Sequence, residues 1–144
     1  MAAEFLKQRI VAGIIAGILI PIGLYTKSYG GIGHIWVHDS LGGVLYVVFW
    51  CLVAFVFFPH PRNNLKIVLS VLIITSIIEF TQLSHHPFLQ YVRSYRLGQY
   101  LIGTTFVLSD FAYYVVGAVI GLITLKMIGR FRTNLPVKNS ATSQ

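Results

Sequence analysis

One ionisable residue lies inside an apolar stretch of this sequence, where a membrane segment would normally exclude it. Glu79 follows four isoleucines within residues 73–83 and precedes Gln82 by three positions. On a helix, Glu79 and Gln82 share one face with Thr75. A charge at the centre of a membrane costs roughly 3 kcal/mol or more. We therefore expect this face to point inward, toward a partner or a polar site.

The other acidic residues also stand at the ends of apolar segments. The sequence contains only four Asp and Glu residues. Asp39 precedes the second apolar segment and Asp110 begins the fourth. Either carboxylate could cap the free amides of a helix amino terminus. That structural role stays open beside a role in one polar site shared with Glu79.

The helix dipole disfavours an anion near the carboxyl end of a helix, so we expect Glu79 to be either protonated or paired with a cation. Arg93 and Arg96 follow in the next loop. We expect Glu79 to contact one of these two arginines, directly or through one water. A purely structural ion pair and a ligand or proton site are both compatible with this pattern.

The composition is typical of an integral membrane protein. Of the 144 residues, 56% are hydrophobic and 10% are charged, and the mean hydropathy is +0.74. Four apolar segments approach the roughly 20 residues that a spanning helix needs, at 10–25, 41–58, 65–83 and 106–128. The sequence therefore predicts an all-α, four-helix membrane bundle over 1–132, followed by a polar, disordered tail at 133–144.

The basic residues predict the orientation of this bundle. Lys and Arg concentrate at both termini and in the second loop, whereas the opposite side carries Lys27, Arg93 and Arg96. The positive-inside rule then places both termini in the cytoplasm and the acids of the apolar segments toward the outer face. The first segment resembles a secretory signal without a small-x-small cleavage site, and we expect it to be retained. The net charge of +7 suits lipid headgroups, and we expect no nucleic-acid partner.

The outer loop at 84–105 is long for a compact bundle, which favours a functional role. Pro87 could begin a short interfacial helix that runs to about Tyr95, and 97–103 could return to the membrane as a re-entrant turn.

Small residues at four-residue spacing predict close helix contacts. The residues concerned are Gly13 and Gly17 beside Ala12 and Ala16, Gly42 and Gly43, and Gly117 and Gly121, the last two on one face with Asp110 and Tyr114.

Two motifs connect these residues with known families. Glu79-x-x-Gln82, the loop arginines and Asp110-x-x-x-Tyr114-x-x-Gly117 resemble the VanZ-like family of bacterial membrane proteins. The stretch 96–111, with 33–46 upstream, is more similar to a related family, domain of unknown function 2809. The resemblance implies a four-helix, multi-pass protein of the bacterial cytoplasmic membrane. VanZ itself is associated with resistance to glycopeptide antibiotics that act outside the cell. At the position of Tyr114, VanZ proteins usually have an asparagine, so this sequence departs from their pattern there.

From these patterns we expect a small membrane protein with an outward-facing polar site. The site would bind or handle an anionic amphiphile, either a lipid or the headgroup of a cell-envelope precursor, with arginine meeting a phosphate. The candidate ligand-binding residues are Glu79, Gln82, Arg93, Arg96, Asp110, Asp39 and Tyr114. Four short helices enclose little volume, so an oligomer stays open.

Two alternatives belong to other functional classes. A membrane hydrolase or transferase could use Glu79 as general base on a lipid-linked substrate, although no nucleophile or phosphate-loop motif is present. An accessory subunit could use the polar cluster only to stabilise its fold. Burial of Glu79 away from solvent would favour this accessory role. We expect no metal and no cofactor, because His34, His38, His85 and His86 form no zinc signature and Cys51 is the single cysteine.

Overall fold

The structure is a computed structural model that describes residues 2–130, apart from the side chains of residues 2, 3, 38, 39 and 61. The predicted tail at 133–144 lies outside the described residues. Within them the chain forms seven α-helices and no strand. The helices are α1 Ala2–Ser28, α2 His34–Trp36, α3 Gly42–Phe57, α4 Asn64–Thr81, α5 Pro87–Arg93, α6 Arg96–Ile102 and α7 Asp110–Arg130; a π-helix, Val37–Leu41, joins α2 to α3, and a 3₁₀-helix, Pro61–Asn63, precedes α4.

Three of these helices, α1, α4 and α7, are long and apolar enough to cross a membrane. The expected all-α membrane protein is therefore confirmed at this level. The second predicted span, 41–58, corresponds to the apolar helix α3, which has 16 residues and is shorter than the other three. The π-helix and α2 continue the helical path on its amino-terminal side.

Helix α3 lies at the centre of the packing and contacts α1, α4 and α7. Its buried side chains recur every three to four residues, as expected for one helix packed among several. Helix α7 approaches α3 most closely at its glycines, as the small-residue spacing predicts. A Cβ added to Gly117 would lie 2.8 Å from Val44 O, and one added to Gly121 would lie 3.1 Å from Cys51 Sγ.

The small residues of α1 behave differently from this prediction. Ala12 and Ala16 are buried in the core cluster, at 0% and 6% exposure. Gly13 and Gly17 have no atom within 4 Å of the position that a Cβ would occupy. The alanine side of the helix therefore packs inward, and the two glycines do not mediate a close contact among the described residues.

Helix ends from three parts of the chain meet where α3 begins. A Cβ at Gly42 would lie 3.5 Å from Lys27 Cε near the end of α1, and one at Gly43 would lie 3.2 Å from the Tyr114 ring near the start of α7. Helix α4 also ends at this level, because its Glu79 contacts Tyr114. We call this the acidic end of the molecule, since it carries Glu79 and Asp110.

The outer loop contains two short helices, α5 and α6. Pro87 begins α5, as predicted. The stretch 97–103, expected as a re-entrant turn, is mostly helical, because α6 runs to Ile102 and its C-cap residue Gly103 has a φ of 74°. Gly98 explains the compact pairing of the two helices, since a Cβ there would collide with Val92 O of α5.

Candidate functional site

The Glu79 carboxylate lies at the centre of a hydrogen-bonded junction between α4, α7 and the loop before α7. Its side chain is 0% exposed. Oε2 accepts hydrogen bonds from Tyr114 OH at 2.6 Å and from Gln82 Nε2 at 2.9 Å. Oε1 accepts one from the Val107 main-chain N–H at 3.1 Å. The buried acid is thus satisfied by three donors, as a buried carboxylate requires.

Local sequence explains why these donors converge. Glu79 lies in the last turn of α4, so Gln82, three residues later, stands on the same face. Tyr114 lies one turn after Asp110, the first residue of α7. Its ring fits beside α3 because Gly43 has no side chain, and the ring carbon Cε1 would lie 3.2 Å from a Cβ at that position.

The expected contact between Glu79 and Arg93 is absent from the described structure. Arg93 instead donates to three main-chain carbonyls, through Nη2 to Thr81 at 2.9 Å, Nε to Gly103 at 3.1 Å and Nη1 to Ser84 at 3.2 Å. The carbonyls at the end of α4 lack helical partners, and the guanidinium supplies donors in a fixed fork. Arg93 therefore fastens the α5–α6 segment to the end of α4.

Arg96 is also outside the Glu79 junction. It is exposed at the first position of α6, and neither Glu79 oxygen accepts a hydrogen bond from it in the described structure. The same segment also exposes large aromatic side chains. Tyr91 and Tyr95 are 64% and 55% exposed, and their hydroxyl oxygens are 3.0 Å apart. This hydrogen bond, with some desolvation, raises the pKa of Tyr95.

A cavity of about 330 Å³ lies beside the Glu79 junction at the acidic end. Its lining includes Lys27 from α1, Gln82 after α4, and Asp110 and Tyr114 from α7. Residues 99–105 of α6 and the following loop form another wall. Tyr46 of α3 holds that wall in place, because its hydroxyl donates to Leu101 O at 2.7 Å.

Gln82 gives the cavity an acceptor that the fold does not use. Its Nε2 donates to Glu79, whereas its buried Oε1 has no hydrogen-bond partner among the described residues. Gly103 permits this placement, since a Cβ there would lie 2.9 Å from Gln82 Cδ. A buried acceptor without a donor is uncommon and calls for a partner, such as a ligand.

The structure divides the candidate residues into three groups. Gln82, Asp110 and Tyr114 line the cavity, whereas Glu79, Arg93 and Arg96 do not line it. The backbone of Asp39 belongs to the π-helix, but its side chain lies outside the described residues. π-Helices occur frequently at functional sites.

Sequence reasoning missed Lys27 as a cavity residue. The charge pattern of the sequence identifies it only as one of three basic residues on the predicted outer side. Its position in the last turn of α1 is a signal that could have placed it at this end, together with the glycine pair 42–43 that leaves space beside it. Among the described residues, no group of three His, Cys, Asp or Glu side chains has the geometry to hold a metal ion.

With this geometry established, comparison with known proteins gives one family. The family model described as "Protein of unknown function (DUF2809)" matches residues 32–118. The chain belongs to this family, and the matched region runs from the residues before α2 to the middle of α7. No curated protein and no solved structure matches the chain.

Proposed function

We propose that the cavity at the acidic end binds the polar headgroup of an anionic amphiphile, a membrane lipid or a lipid-linked precursor of the cell envelope. One observation carries the proposal: the cavity of about 330 Å³ is lined by both Lys27 and Gln82, whose buried Oε1 has no partner among the described residues. Pockets that hold small ligands start at about 300 Å³, which is enough for a headgroup.

The lining residues favour a headgroup that combines an anion with hydrogen-bond donors. The Lys27 ammonium suits a phosphate as a compact point charge. Gln82 Oε1 and the Asp110 carboxylate are acceptors, which suit the hydroxyl groups of a glycerol or sugar. Lys27 thus takes the role that we had expected of Arg93 and Arg96, because Arg93 is bound to main-chain carbonyls.

The proposal includes a membrane arrangement. In it α1, α3, α4 and α7 form a four-helix, four-span bundle in the bacterial cytoplasmic membrane, with both termini in the cytoplasm and the cavity facing outward. Charge supports this orientation: the end opposite the cavity carries Lys7, Arg9, Arg62, Lys66 and Arg130. A wider kinship with VanZ-like proteins is likewise proposed, on the motif that contains Glu79, Gln82 and Asp110.

Native mass spectrometry of the detergent-extracted protein tests the cavity. Wild type and Lys27→Gln are compared for retention of added phosphatidylglycerol. Loss of one charged hydrogen bond predicts about a tenfold lower bound-to-free ratio for Lys27→Gln. The matched control is Arg96→Gln, which removes an exposed charge at the same end without touching the cavity. If both variants lost the same amount of bound lipid, or if neither lost any, the cavity would be rejected as the binding site.

A structural or accessory role is the second candidate, and the state of Glu79 favours it. The carboxylate is sealed from solvent and satisfied by Gln82, Val107 and Tyr114. A general base must reach its substrate, so this burial also weakens the hydrolase alternative. The accessory role would be the better explanation if Lys27→Gln left lipid retention unchanged while removal of Glu79 abolished folding.

A further inference from the structure

The end of the molecule opposite the cavity contains a second concave surface, which we call the basic groove. It is an open depression of about 500 Å³, and its lining includes Phe5, Leu6, Arg9, Phe58, His60 and Asn63. Helix α3 separates the two sites, since its 16 residues extend about 24 Å at 1.5 Å per residue. The groove therefore lies near the other surface of a membrane that contains the helices.

Arg9 brings a cation with unused donors into this groove. Its Nη2 donates to Phe57 O at 3.4 Å, which ties α1 to the end of α3. This long hydrogen bond is the one that its guanidinium makes within the described part of the chain, so four of the five N–H donors of an arginine are left over. A planar guanidinium with free donors suits a phosphate.

Two further polar groups line the same groove. His60 Nδ1 accepts the Arg62 main-chain N–H at 3.3 Å, so Nε2 carries the ring proton as a donor. The His60 ring stacks on Phe5 with a centroid distance of 6.2 Å, which fixes its plane. Asn63 occupies the N-cap position of α4, yet its side chain makes no capping hydrogen bond.

The polar groups adjoin large apolar side chains that are exposed. Leu6, Phe57 and Phe58 are 57%, 67% and 64% exposed. A soluble phosphate would gain nothing from these side chains, whereas the glycerol and upper acyl carbons of a lipid would cover them. The groove thus combines donors for an anion with apolar surface beside them.

The charge around the groove is also one-sided. Arg62 and Lys66 lie close to it along the chain, and Glu4 is the one acidic residue in the described sequence before Asp39. Helix α7, which carries Arg130 in its last turn, contacts the 3₁₀-helix Pro61–Asn63 at this end. Basic clusters beside spanning helices attract anionic lipids.

From these observations we infer that the basic groove binds an anionic phospholipid of the adjacent leaflet. The phosphate would lie between Arg9, His60 Nε2 and the Asn63 amide, and the glycerol and acyl carbons would lie along Leu6 and Phe58. This site is independent of the cavity proposed above. It would fix one lipid beside the contact between α1 and the end of α3.

The test measures lipid retention in nanodiscs made of equal amounts of phosphatidylglycerol and phosphatidylcholine. Native mass spectrometry of the full chain counts the lipids that stay bound after the disc is removed. We expect wild type to prefer phosphatidylglycerol and Arg9→Gln to lose about tenfold in its bound-to-free ratio. Lys7→Gln, two residues away and outside the groove lining, is the matched control and should retain the lipid.

A second variant keeps the test decisive if Arg9→Gln does not fold. His60→Phe keeps an aromatic ring that can stack on Phe5 but removes the Nε2–H donor. It should lower the retention of phosphatidylglycerol without changing the retention of phosphatidylcholine. Three results would each overturn the inference. His60→Phe could retain as much phosphatidylglycerol as wild type, Arg9→Gln and Lys7→Gln could lose the lipid equally, or wild type could show no preference between the two lipids. Displacement of the lipid by excess inorganic phosphate alone would instead identify a soluble-anion site. Lys27→Gln should leave this lipid bound, which separates the groove from the cavity.

Discussion

At the scale of single residues, the environment of Glu79 shows how an apolar helix can carry an acid that has no basic partner among the described residues. Three donors from three places along the chain, Gln82, Val107 and Tyr114, surround the carboxylate. Each hydrogen bond to a charged group contributes about 1.5–3 kcal/mol. Together they can offset the loss of water, so the arginine that we expected is not required for this purpose.

The first prediction concerns removal of this acid. Glu79→Ala should strongly lower the melting temperature in detergent, because it leaves the buried Tyr114 hydroxyl and two partly buried donors unpaired, at up to roughly 1–3 kcal/mol each. Glu79→Gln should cost less, since its amide keeps one acceptor and the unused Oε1 of Gln82 could turn to receive its new donor. Thermal unfolding followed by circular dichroism compares the two variants. Equal melting temperatures for wild type and Glu79→Ala would contradict the structural role.

The second prediction concerns Arg93, whose three carbonyl partners belong to separate turns. A lysine has one ammonium and cannot reproduce the planar fork. Arg93→Lys should therefore loosen the α5–α6 segment, with roughly tenfold faster hydrogen exchange at 84–105 for each charged hydrogen bond lost. Arg96→Lys is the control, because Arg96 is exposed on the same segment. Unchanged exchange in Arg93→Lys would show that the segment is held by other contacts.

These residues also show what sequence could and could not reveal about the candidate site. The spacing of Glu79 and Gln82, and that of Asp110 and Tyr114, follows from helix geometry, and the structure brings all four to one end. The donor at Val107 and the acceptors of Arg93 are main-chain groups, which every residue carries. Side-chain identity therefore predicted a pair of Glu79 with an arginine, whereas main-chain groups supply one donor to Glu79 and all three acceptors of Arg93.

At the scale of elements, α3 and α7 form the most extensive helix–helix contact, and Gly117 and Gly121 of α7 lie within it. The third prediction is that Gly117→Ala destabilises the protein by about 1–3 kcal/mol, as overpacking of a tight interface does. The added methyl would lie 2.8 Å from Val44 O and 2.9 Å from Val47 Cβ. Gly13→Ala on α1 is the control, because no atom lies within 4 Å of its added methyl.

Thermal unfolding in detergent separates the two glycine variants. Gly13→Ala should be neutral or slightly stabilising, since alanine favours a helix more than glycine does. If both variants lose the same stability, the close approach of α3 and α7 is not what Gly117 provides. The contrast matters because sequence alone predicted contacts at both positions, and only the rotation of each helix about its axis distinguishes them.

Element boundaries show the same limit of sequence analysis. The last three apolar segments were predicted within a few residues of their observed ends, because hydrophobicity marks them directly. Helix α1 begins at Ala2, well before the predicted start at Ile10, because its first two turns include charged and polar residues. Most of the stretch 97–103, which was expected as a re-entrant turn, forms the short helix α6. In the structure Gly98 permits contact with α5, and Gly103 ends α6 with a positive φ. Tertiary contact decided what local propensity could not.

At the scale of the whole molecule, the two ends differ in their acidic residues and in the sites that they carry. The acidic end holds Glu79, Asp110 and the cavity, and the opposite end holds the basic groove with Arg9 and Arg62 close to it. In a membrane this asymmetry favours one orientation, because basic ends stay in the cytoplasm. If that orientation holds, the cavity faces the outer leaflet and the groove faces the inner one, and the two sites draw ligands from different leaflets.

The last prediction tests this orientation with a single accessible thiol. Ser94 is exposed between α5 and α6, so Ser94→Cys in a Cys51→Ala background should react with a membrane-impermeant maleimide added to intact cells or spheroplasts. Cys51 is buried and is the sole native cysteine, so its removal leaves one reporter. The control is Lys7→Cys in the same background. It should react only after permeabilisation, because Lys7 lies at the end of the molecule that carries the basic groove. The reverse pattern would place the cavity in the cytoplasm, and its ligand would then have to come from the inner leaflet or from cytoplasmic precursors instead of the outer surface.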